Sequence, residues 1–185
     1  MSAFVAFLRA VNIGKRQVRM ADLRSWLSED GFTDVETYIQ TGNVKVVTSM
    51  RSAARVEARL ETLLAERCGF DVATIVLTPQ ELAGVYADAL ALDPPFGDEP
   101  GQRRYVVLFK DPVDAAVAER MSAYDPPGER IWAQGRAAHV WISGSFHEAK
   151  VFNAFKQALA SGTNRDLKVI ATLAERWGAP APAVR

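Results

Sequence analysis

Side-chain amides, glycines and basic residues are concentrated in two short segments of the first fifty residues. The segments are Asn12-Ile13-Gly14-Lys15-Arg16-Gln17 and Gln40-Thr41-Gly42-Asn43. Basic side chains and accessible backbone N–H groups stabilise phosphate and carboxylate groups. If the two segments meet in the fold, they predict an anion-binding edge. The candidate ligand-binding residues in them are Asn12, Gly14, Lys15, Arg16, Gln40, Thr41, Gly42 and Asn43.

The charge of the chain is balanced overall but uneven locally. Its 22 basic and 22 acidic residues cancel, so no global field holds a polyanion. Residues 1–20 contain Arg9, Lys15, Arg16 and Arg19 and no acidic residue, which predicts a positive edge. Turn formation alone also explains glycine and asparagine at these positions. Both interpretations stay open at the level of sequence.

Other catalytic and metal-binding chemistries have weaker support. His139 and His147 are the two histidines, and neither has companions at the spacing of a metal site or a catalytic triad. Cys68 is the single cysteine, which we expect to be a packed thiol in a reducing cytoplasm. The chain lacks the glycine-rich loops that bind nucleotide phosphates. We therefore predict no metal and no cofactor.

The pattern of the first half predicts the order β-α-β-β-α-β. It contains a strand at residues 4–8, a helix from Met20 to Gly31, a hairpin around Thr41-Gly42, a helix from Ser52 to Gly69 and a strand at 72–77. This is the split βαβ, or ferredoxin-like, order. It makes the first and second strands parallel, with the third between them. The loop after the first strand and the tip of the hairpin then lie at the same end of the sheet.

The second half repeats this pattern with one predicted difference. Thr78-Pro79-Gln80-Glu81 is a capping box that begins a trailing helix, and Ser145-Phe146-His147-Glu148 predicts a second helix start. A last helix carries Leu167 and Trp177, so we expect the second unit to lack its last strand. The predicted fold class is α+β, with two tandem ferredoxin-like (split βαβ) subdomains. The predicted bounds are 1–92 for the first subdomain with its trailing helix, 93–102 for a linker, 103–178 for the second βαββα subdomain with its C-terminal helix, and 179–185 for a tail.

Membrane insertion and sequence-specific RNA recognition are not expected. No apolar run approaches the roughly 20 residues that span a bilayer, and Phe4–Leu8 is interpreted as a strand rather than a signal peptide. A ferredoxin-like sheet that recognises RNA needs aromatic residues on its central strands. The third strand, Val44–Val47, has none. A homo-oligomer stays open, although nothing in the sequence indicates one.

Three phrases of the first half resemble a known family. They are Phe7-Leu8-Arg9-Ala10-Val11-Asn12-Ile13-Gly14, Gly31-Phe32-Thr33-Asp34-Val35 and Thr37-Tyr38-Ile39-Gln40-Thr41-Gly42-Asn43-Val44. Together they closely resemble the bacterial domain-of-unknown-function family 1697. The resemblance implies two ferredoxin-like subdomains and no established activity.

The resemblance continues in the second half at three residues. Lys150 and Asn153 match a family motif of lysine and asparagine, and Arg165 matches the arginine of a second motif. The resemblance therefore adds Arg9, Lys150, Asn153 and Arg165 to the candidate ligand-binding residues. Whether the residues of the second half join the edge of the first in one cleft is left open by the sequence.

Three functions are consistent with these observations. The leading hypothesis is a cytoplasmic binding protein for an anionic ligand, either a nucleotide, a phosphometabolite or a nucleic-acid phosphate, at the edge of residues 12–17 and 40–43. The first alternative is an enzyme that acts on a phosphorylated small molecule, with Lys150 or Arg165 stabilising developing charge. The second alternative is a protein-interaction module or homodimer. The sequence does not decide whether the protein is an enzyme.

Overall fold

The computed structural model describes residues 1–97 and 101–179, which divide into two compact units. Unit 1 is Met1–Gly84 with the residues from Leu173 onward, and unit 2 is Val85–Thr172. Each unit contains a four-stranded antiparallel sheet. The protein is therefore of the α+β class, as predicted.

Unit 1 is built on a sheet whose strand order is β2-β3-β1-β4. Its elements are β1 (Ser2–Leu8), α1 (Met20–Glu29), β2 (Thr33–Tyr38), β3 (Asn43–Thr48), α2 (Ala53–Cys68), β4 (Thr74–Leu77) and the start of α3 (Pro79–Ala91). Strand β3 is antiparallel to both β1 and β2. The first two strands are consequently parallel, with the third between them, as the pattern predicted.

The core of unit 1 follows from the alternation of side chains along its strands. Phe4, Ala6 and Leu8 of β1 face the same side of the sheet and join one buried cluster. Leu23 of α1 and Leu60 of α2 belong to that cluster, so these helices cover one face of the sheet. This packing fixes the orientation of β1 and therefore the position at which the loop after it begins.

The ends of helix α2 agree with the sequence-based assignment. The hydroxyl oxygen of Ser52 accepts a hydrogen bond from the backbone N–H of Arg55 at 3.4 Å, which caps the first turn. Gly69 follows the last turn at φ +73°, in the left-handed conformation that glycine adopts without strain. The helix therefore begins and ends where its capping residues predict.

Unit 2 repeats the strand order of unit 1 as β6-β7-β5-β8. Its elements are the rest of α3, β5 (Arg103–Leu108), α4 (Ala115–Ser122), β6 (Glu129–Gln134), β7 (Ala137–Ile142), α5 (Val151–Ala154), α6 (Lys156–Leu159), β8 (Thr163–Asp166) and the start of α7 (Leu167–Trp177). Val107, Val140 and Val151 belong to its buried cluster. One face of this sheet is thus also covered by helices.

The prediction that the second unit lacks its last strand is wrong. Strand β8 pairs antiparallel with β5, with Thr163 opposite Leu108 and Arg165 opposite Val106. Every residue of β8 is polar, so it has none of the apolar alternation from which strands were assigned. Backbone pairing with a buried neighbouring strand forms β8 despite its composition.

The helix predicted from the capping box at Ser145 begins later than expected. The Ser145 hydroxyl accepts a hydrogen bond from the His147 N–H at 3.3 Å, but this segment forms only turns. The N–H groups of Lys150 and Val151 instead donate to the carboxylate of Glu129, at 2.8 and 2.6 Å. A strand residue distant in sequence caps α5, and no local pattern contains that information.

Parts of two predicted segments lie outside the described residues. The linker predicted at 93–102 includes residues 98–100, and the tail predicted at 179–185 includes residues 180–185. The predicted domain bounds stay predictions. None of the helices in the described ranges is both long and apolar enough to cross a membrane.

Candidate functional site

The loop after β1 lies against the tip of the β2–β3 hairpin in unit 1. We call residues 9–19 the edge loop and residues 39–42 the hairpin tip. The backbone N–H of Leu8 donates to the carbonyl of Gly42 at 2.8 Å, immediately before the loop begins. The two segments that carry the candidate residues therefore meet at one end of the sheet, as the strand order predicted.

Asn12 joins the edge loop to the hairpin tip. Its side-chain amide donates to the carbonyl of Gln40 at 2.6 Å and to the carbonyl of Val18 at 3.0 Å. Its side-chain oxygen accepts from the Val18 N–H at 2.8 Å. All three bonds are made to backbone groups, so Asn12 fixes the shape of the loop rather than being held ready for a ligand.

Arg16 fixes the other side of the edge loop. Its Nε donates to the carbonyl of Ala10 at 2.8 Å, and its Nη2 donates to the carbonyl of Asp71. The guanidinium carbon lies 4.5 Å from the centre of the Phe70 ring. Two donors and one face of Arg16 are thus occupied within the protein, which fixes the guanidinium beside the edge loop.

Phe70 and Asp71 were missed by the sequence analysis. They precede β4, which pairs antiparallel with β1 so that Leu8 lies opposite Thr74. The start of β4 must therefore approach the end of β1, and this signal was present in the predicted strand order. The Arg9 N–H also donates to the carbonyl of Ala73 at 2.8 Å, so the end of β1 lies beside the start of β4.

Left-handed backbone conformations are concentrated at this edge. Ala10, Asn12 and Gly14 have φ values of +52°, +58° and +57°, and alternate along the edge loop. In the hairpin tip, Ile39 has φ +48° and Gly42 has φ +75°. Residues other than glycine rarely adopt this region, and a β-branched residue such as Ile39 adopts it least readily. Contacts made elsewhere in the edge must stabilise this conformation.

The remaining polar residues of the hairpin tip, and Asn43 at the start of β3, mostly support the turn. Asn43 is fully buried, and its amide donates to the carbonyl of Tyr38 at 3.1 Å and to the Thr41 hydroxyl at 2.9 Å. Gln40 and Thr41 are exposed. The Gln40 carbonyl accepts the bond from Asn12, whereas its side chain projects from an exposed position.

Residues 13–15 form the accessible part of the edge loop. Ile13 and Arg16 form an isolated antiparallel bridge, and within the described residues the backbone N–H groups of Gly14 and Lys15 donate no hydrogen bond to another group. Residues 13–15 are all exposed. The side-chain amide of Gln17 donates to the Gly14 carbonyl at 2.8 Å and so stabilises the turn. Two consecutive backbone donors, those of Gly14 and Lys15, and the Lys15 ammonium therefore lie at exposed positions of the loop.

The candidate residues of the second half all lie in unit 2, on two different faces of it. Lys150 and Asn153 are exposed at the start of α5, whose Val151 packs in the helix-covered core. Arg165 lies opposite Val106, whereas the next residue, Val107, faces that core. Since neighbouring strand residues point to opposite faces, Arg165 lies on the face away from α5. The fold of unit 2 does not bring Arg165 to Lys150 and Asn153.

Arg165 is buried, with 7% of its surface exposed. Its Nη1 donates to the Thr163 hydroxyl and to the Asn164 carbonyl, both at 2.8 Å. Burial lowers the pKa of the Arg165 guanidinium to about 10, so it remains cationic at neutral pH. Its hydrogen bonds hold the short strand β8 in shape.

His139 and the single cysteine, Cys68, have the environments of structural residues. His139 is buried in β7, and burial, with a smaller contribution from Arg104, lowers its pKa to about 4. Burial also raises the pKa of the half-buried Cys68 thiol, which disfavours the reactive thiolate. Among residues 1–97 and 101–179, no three His, Cys, Asp or Glu side chains are arranged to hold a metal ion.

The fold and the edge define an α+β protein with two antiparallel sheets and a polar loop bound to a hairpin tip. A family model described as "Protein of unknown function (DUF1697)" matches residues 1–139. The chain belongs to this family, which confirms the resemblance found in the sequence. No curated protein matches the chain.

The solved structures give an independent match to the fold. The conserved bacterial protein SP0830 from Streptococcus pneumoniae matches with a TM-score of 0.72 and 22% sequence identity. The match covers 96% of this chain and 98% of that chain. At this level of identity the likeness shows the fold alone.

Proposed function

We propose that the protein binds a small phosphate-bearing ligand, such as a nucleotide or a phosphorylated metabolite, at the edge loop of unit 1. The observation that carries the proposal is the pair of consecutive backbone N–H groups at the exposed residues Gly14 and Lys15, which donate no hydrogen bond within the described residues. Consecutive backbone donors in a turn with left-handed residues form concave sites that bind anions. The ammonium of Lys15 supplies a positive charge beside them.

The rigid support of the loop favours binding over simple solvation. Asn12 and Arg16 hold the loop through backbone carbonyls, so its donors are ordered before a ligand arrives. A site ordered in advance loses less conformational entropy on binding than a mobile loop does. In this proposal Asn12 and Arg16 position the loop, whereas the backbone donors and Lys15 contact the phosphate.

The other candidate residues have different parts in the proposal. Gln40 and Thr41 are exposed on the adjacent hairpin tip and would contact the remainder of the ligand. Gly42 and Asn43 are buried and shape the tip. Arg9 adds positive charge at the end of β1. Lys150, Asn153 and Arg165 stay candidates by resemblance alone.

The proposal is tested by thermal-shift and calorimetric titrations of the full chain with inorganic phosphate, nucleotides and short oligonucleotides. We expect nucleotides or phosphate to stabilise the wild type and Lys15→Gln to weaken binding about tenfold, because a charge-assisted hydrogen bond contributes roughly 1.5 kcal/mol. Arg55→Gln is the matched control, since Arg55 is an exposed residue on α2 of the same unit. Equal weakening by both variants, or no stabilisation by any phosphate compound, would contradict the proposal. Binding confined to oligonucleotides would identify the ligand as nucleic acid.

A protein-interaction function has one observation in its favour. Ile13 and Ile39 are 67% and 45% exposed at the same edge, and contiguous exposed apolar side chains mark interaction surfaces. A partner chain or a second copy would cover them. Light scattering across a range of concentrations tests self-association, and a mass of one chain throughout would count against it.

Two wider inferences accompany the proposal. We infer that both units are ferredoxin-like, which the strand order and the antiparallel pairing of both sheets support. The single cysteine, which is free, supports a cytoplasmic location.

A further inference from the structure

Unit 2 contains a cleft of about 640 Å³ that none of the candidate ligand-binding residues lines. Its walls come from α3, the first residues of β5, the last residue of β8 and the first turns of α7. The lining residues are Tyr86, Leu90, Gly101, Gln102, Arg103, Arg104, Asp166, Leu167, Lys168 and Ala171. Small-molecule sites occupy clefts of roughly 300–1,000 Å³, so the volume suits a ligand the size of a nucleotide.

Three cationic residues and one acidic residue line this cleft. Arg103 and Arg104 come from the start of β5, and Lys168 comes from the first turn of α7. The carboxylate of Asp166 accepts a hydrogen bond from the backbone N–H of Lys168 at 2.8 Å, which caps α7. Three cationic residues against one acidic residue leave the cleft with an excess of positive charge.

Arg104 is held in a fixed orientation before any ligand binds. Its Nη2 donates to the carbonyl of Ala89 in α3, and its guanidinium carbon lies 4.9 Å from the centre of the Trp141 ring. Trp141 is the residue opposite Arg104 on the neighbouring strand β7. Partial burial lowers the pKa of Arg104, so water solvates this cation less well than a surface arginine. An incoming anion would compensate for that lost hydration.

Two helices supply apolar side chains to the same cleft. Tyr86 and Leu90 are four residues apart on α3 and therefore lie on one face of it, and Leu167 and Ala171 have the same spacing on α7. Leu90 is 62% exposed, so its side chain is accessible from the cleft. The cleft thus combines a cationic end with walls suited to a flat or apolar group.

We propose that this cleft binds a small organic anion, with its phosphate or carboxylate at Arg103, Arg104 and Lys168 and its planar or apolar part between Tyr86 and Leu90 on one side and α7 on the other. The site is separate from the edge loop of unit 1. Its existence does not depend on whether the edge loop binds phosphate.

Calorimetric titration of the full chain tests the ligand class. The probes are adenosine 5′-monophosphate, indole-3-acetate, adenosine and inorganic phosphate. We expect at least one of the two organic anions to bind more tightly than both adenosine, which lacks the charge, and phosphate, which lacks the apolar part. The phosphate-bearing and carboxylate-bearing probes distinguish which anion the cleft prefers. Failure of both organic anions to bind, or equal binding of inorganic phosphate, would overturn the proposal.

Two sets of variants locate the binding. The double variant Arg103→Gln with Lys168→Gln removes two exposed cations of the cleft and should weaken binding by at least about tenfold. The control is Arg120→Gln with Lys156→Gln, which removes the same charges from exposed positions of unit 2 outside the cleft. Leu90→Glu places a carboxylate in the cleft without removing buried packing, and it should also abolish binding. Thermal unfolding of each variant confirms that it is folded.

The two binding proposals have different outcomes in this experiment. Lys15→Gln, in the edge loop, should leave the binding of the organic anion to the cleft unchanged. If the Lys15 variant weakened binding and the double variant in the cleft did not, the anion would bind the edge loop, and the cleft proposal would be wrong. If the control double variant weakened binding as much as the cleft variant, the effect would be one of net charge, which also overturns it.

Discussion

The loop after β1 in unit 1 and the loop after β5 in unit 2 both contact the hairpin of their own sheet, but they do so through different groups. In unit 1 the Leu8 N–H donates to Gly42 of the hairpin tip at 2.8 Å. In unit 2 the Phe109 N–H donates to the carbonyl of Arg136 at 3.0 Å, and the Val113 N–H donates to the carbonyl of Gly135 at 2.8 Å. Both loops therefore contact the hairpin of their own sheet. The shared strand order is sufficient to bring loop and hairpin together.

What differs is the chemistry that holds each loop. In unit 1 a side-chain amide, that of Asn12, makes the contact with the hairpin tip, and residues with positive φ alternate through the loop. In unit 2 the contact is made by backbone groups and by the Arg136 guanidinium, whose Nε donates to the Phe109 carbonyl at 3.0 Å, and the loop at 109–114 contains no residue of positive φ. Topology explains the proximity in both units. The amide network and the left-handed residues of unit 1 need a further explanation, and the proposed anion site supplies one.

The largest expected effect distinguishes the two hairpins through their glycines. Gly42 has φ +75°, and a Cβ atom there would lie 2.7 Å from Leu8 Cβ and 2.7 Å from Val11 Cγ2. We expect Gly42→Ala to lower the free energy of unfolding by about 4 kcal/mol, from backbone strain and overpacking together. Gly135→Ala is the matched variant, because Gly135 has φ +54° with no atom within 4 Å of the added Cβ. It should cost about 1 kcal/mol.

Chemical denaturation followed by circular dichroism measures both glycine variants. Equal losses at the two positions would mean that the loop and the tip are not packed together in unit 1. The expected difference in packing between the hairpins of unit 1 and unit 2 would then be wrong.

A second prediction concerns the loss of stability in acid, which we attribute to the buried His139 of unit 2. Burial holds the pKa of His139 at about 4, below its ordinary value of 6.5, so the folded state keeps the imidazole neutral while the unfolded state takes up a proton. The stability is fully present above pH 6.5 and decreases as the pH falls towards 4. The loss from this one group reaches about 3 kcal/mol.

His139→Leu replaces the titratable imidazole with an apolar side chain of similar size. We expect the difference in unfolding free energy between variant and wild type to change by about 3 kcal/mol in favour of the variant between pH 6.5 and 4. Carboxylates titrate in both proteins and cancel in the difference. Parallel stability curves for the two proteins would contradict the assignment.

The smallest of the three effects concerns the amide that is specific to unit 1. Asn12→Gly removes three hydrogen bonds to backbone groups but keeps a residue that adopts φ +58° without strain. We expect a loss of about 2 kcal/mol in unfolding free energy, less than the sum of three bonds because one of them is exposed. Ala10→Gly is the control, since it relieves the strain at φ +52° and removes no side-chain hydrogen bond. A loss of similar size in the control would show that loop entropy, rather than the amide, determines the result.

Much of this fold followed from local patterns in the sequence. The order of strands and helices in unit 1, the cap at Ser52 and the stop at Gly69 were all predicted from alternation and capping residues. The failures occurred where distant residues determine local structure. Strand β8 is formed by pairing with β5, and helix α5 is capped by Glu129 of β6.

The candidate site was predictable in its position but not in its internal contacts. The strand order predicted that residues 12–17 and 40–43 would meet, and they do. The amino-acid types alone could not show that Asn12 and Arg16 bond to carbonyls of their own chain, because free and occupied polar groups look identical in a sequence. The cleft in unit 2 was missed because its cations come from two segments far apart in the chain, Arg103 and Arg104 from β5 and Lys168 from α7.

The bonds that shape the edge loop also determine when it can form. Asn12 bonds to a residue 28 positions away, and Arg16 bonds to one 55 positions away. Closing such long segments costs entropy that the flanking strands must first offset by pairing. The loop should therefore become ordered after the rate-limiting step of folding, so that Asn12→Gly accelerates unfolding and leaves the folding rate nearly unchanged. Stopped-flow measurements of the folding and unfolding rates test this order. We expect the proposed binding site to form last in folding and to be lost first in unfolding.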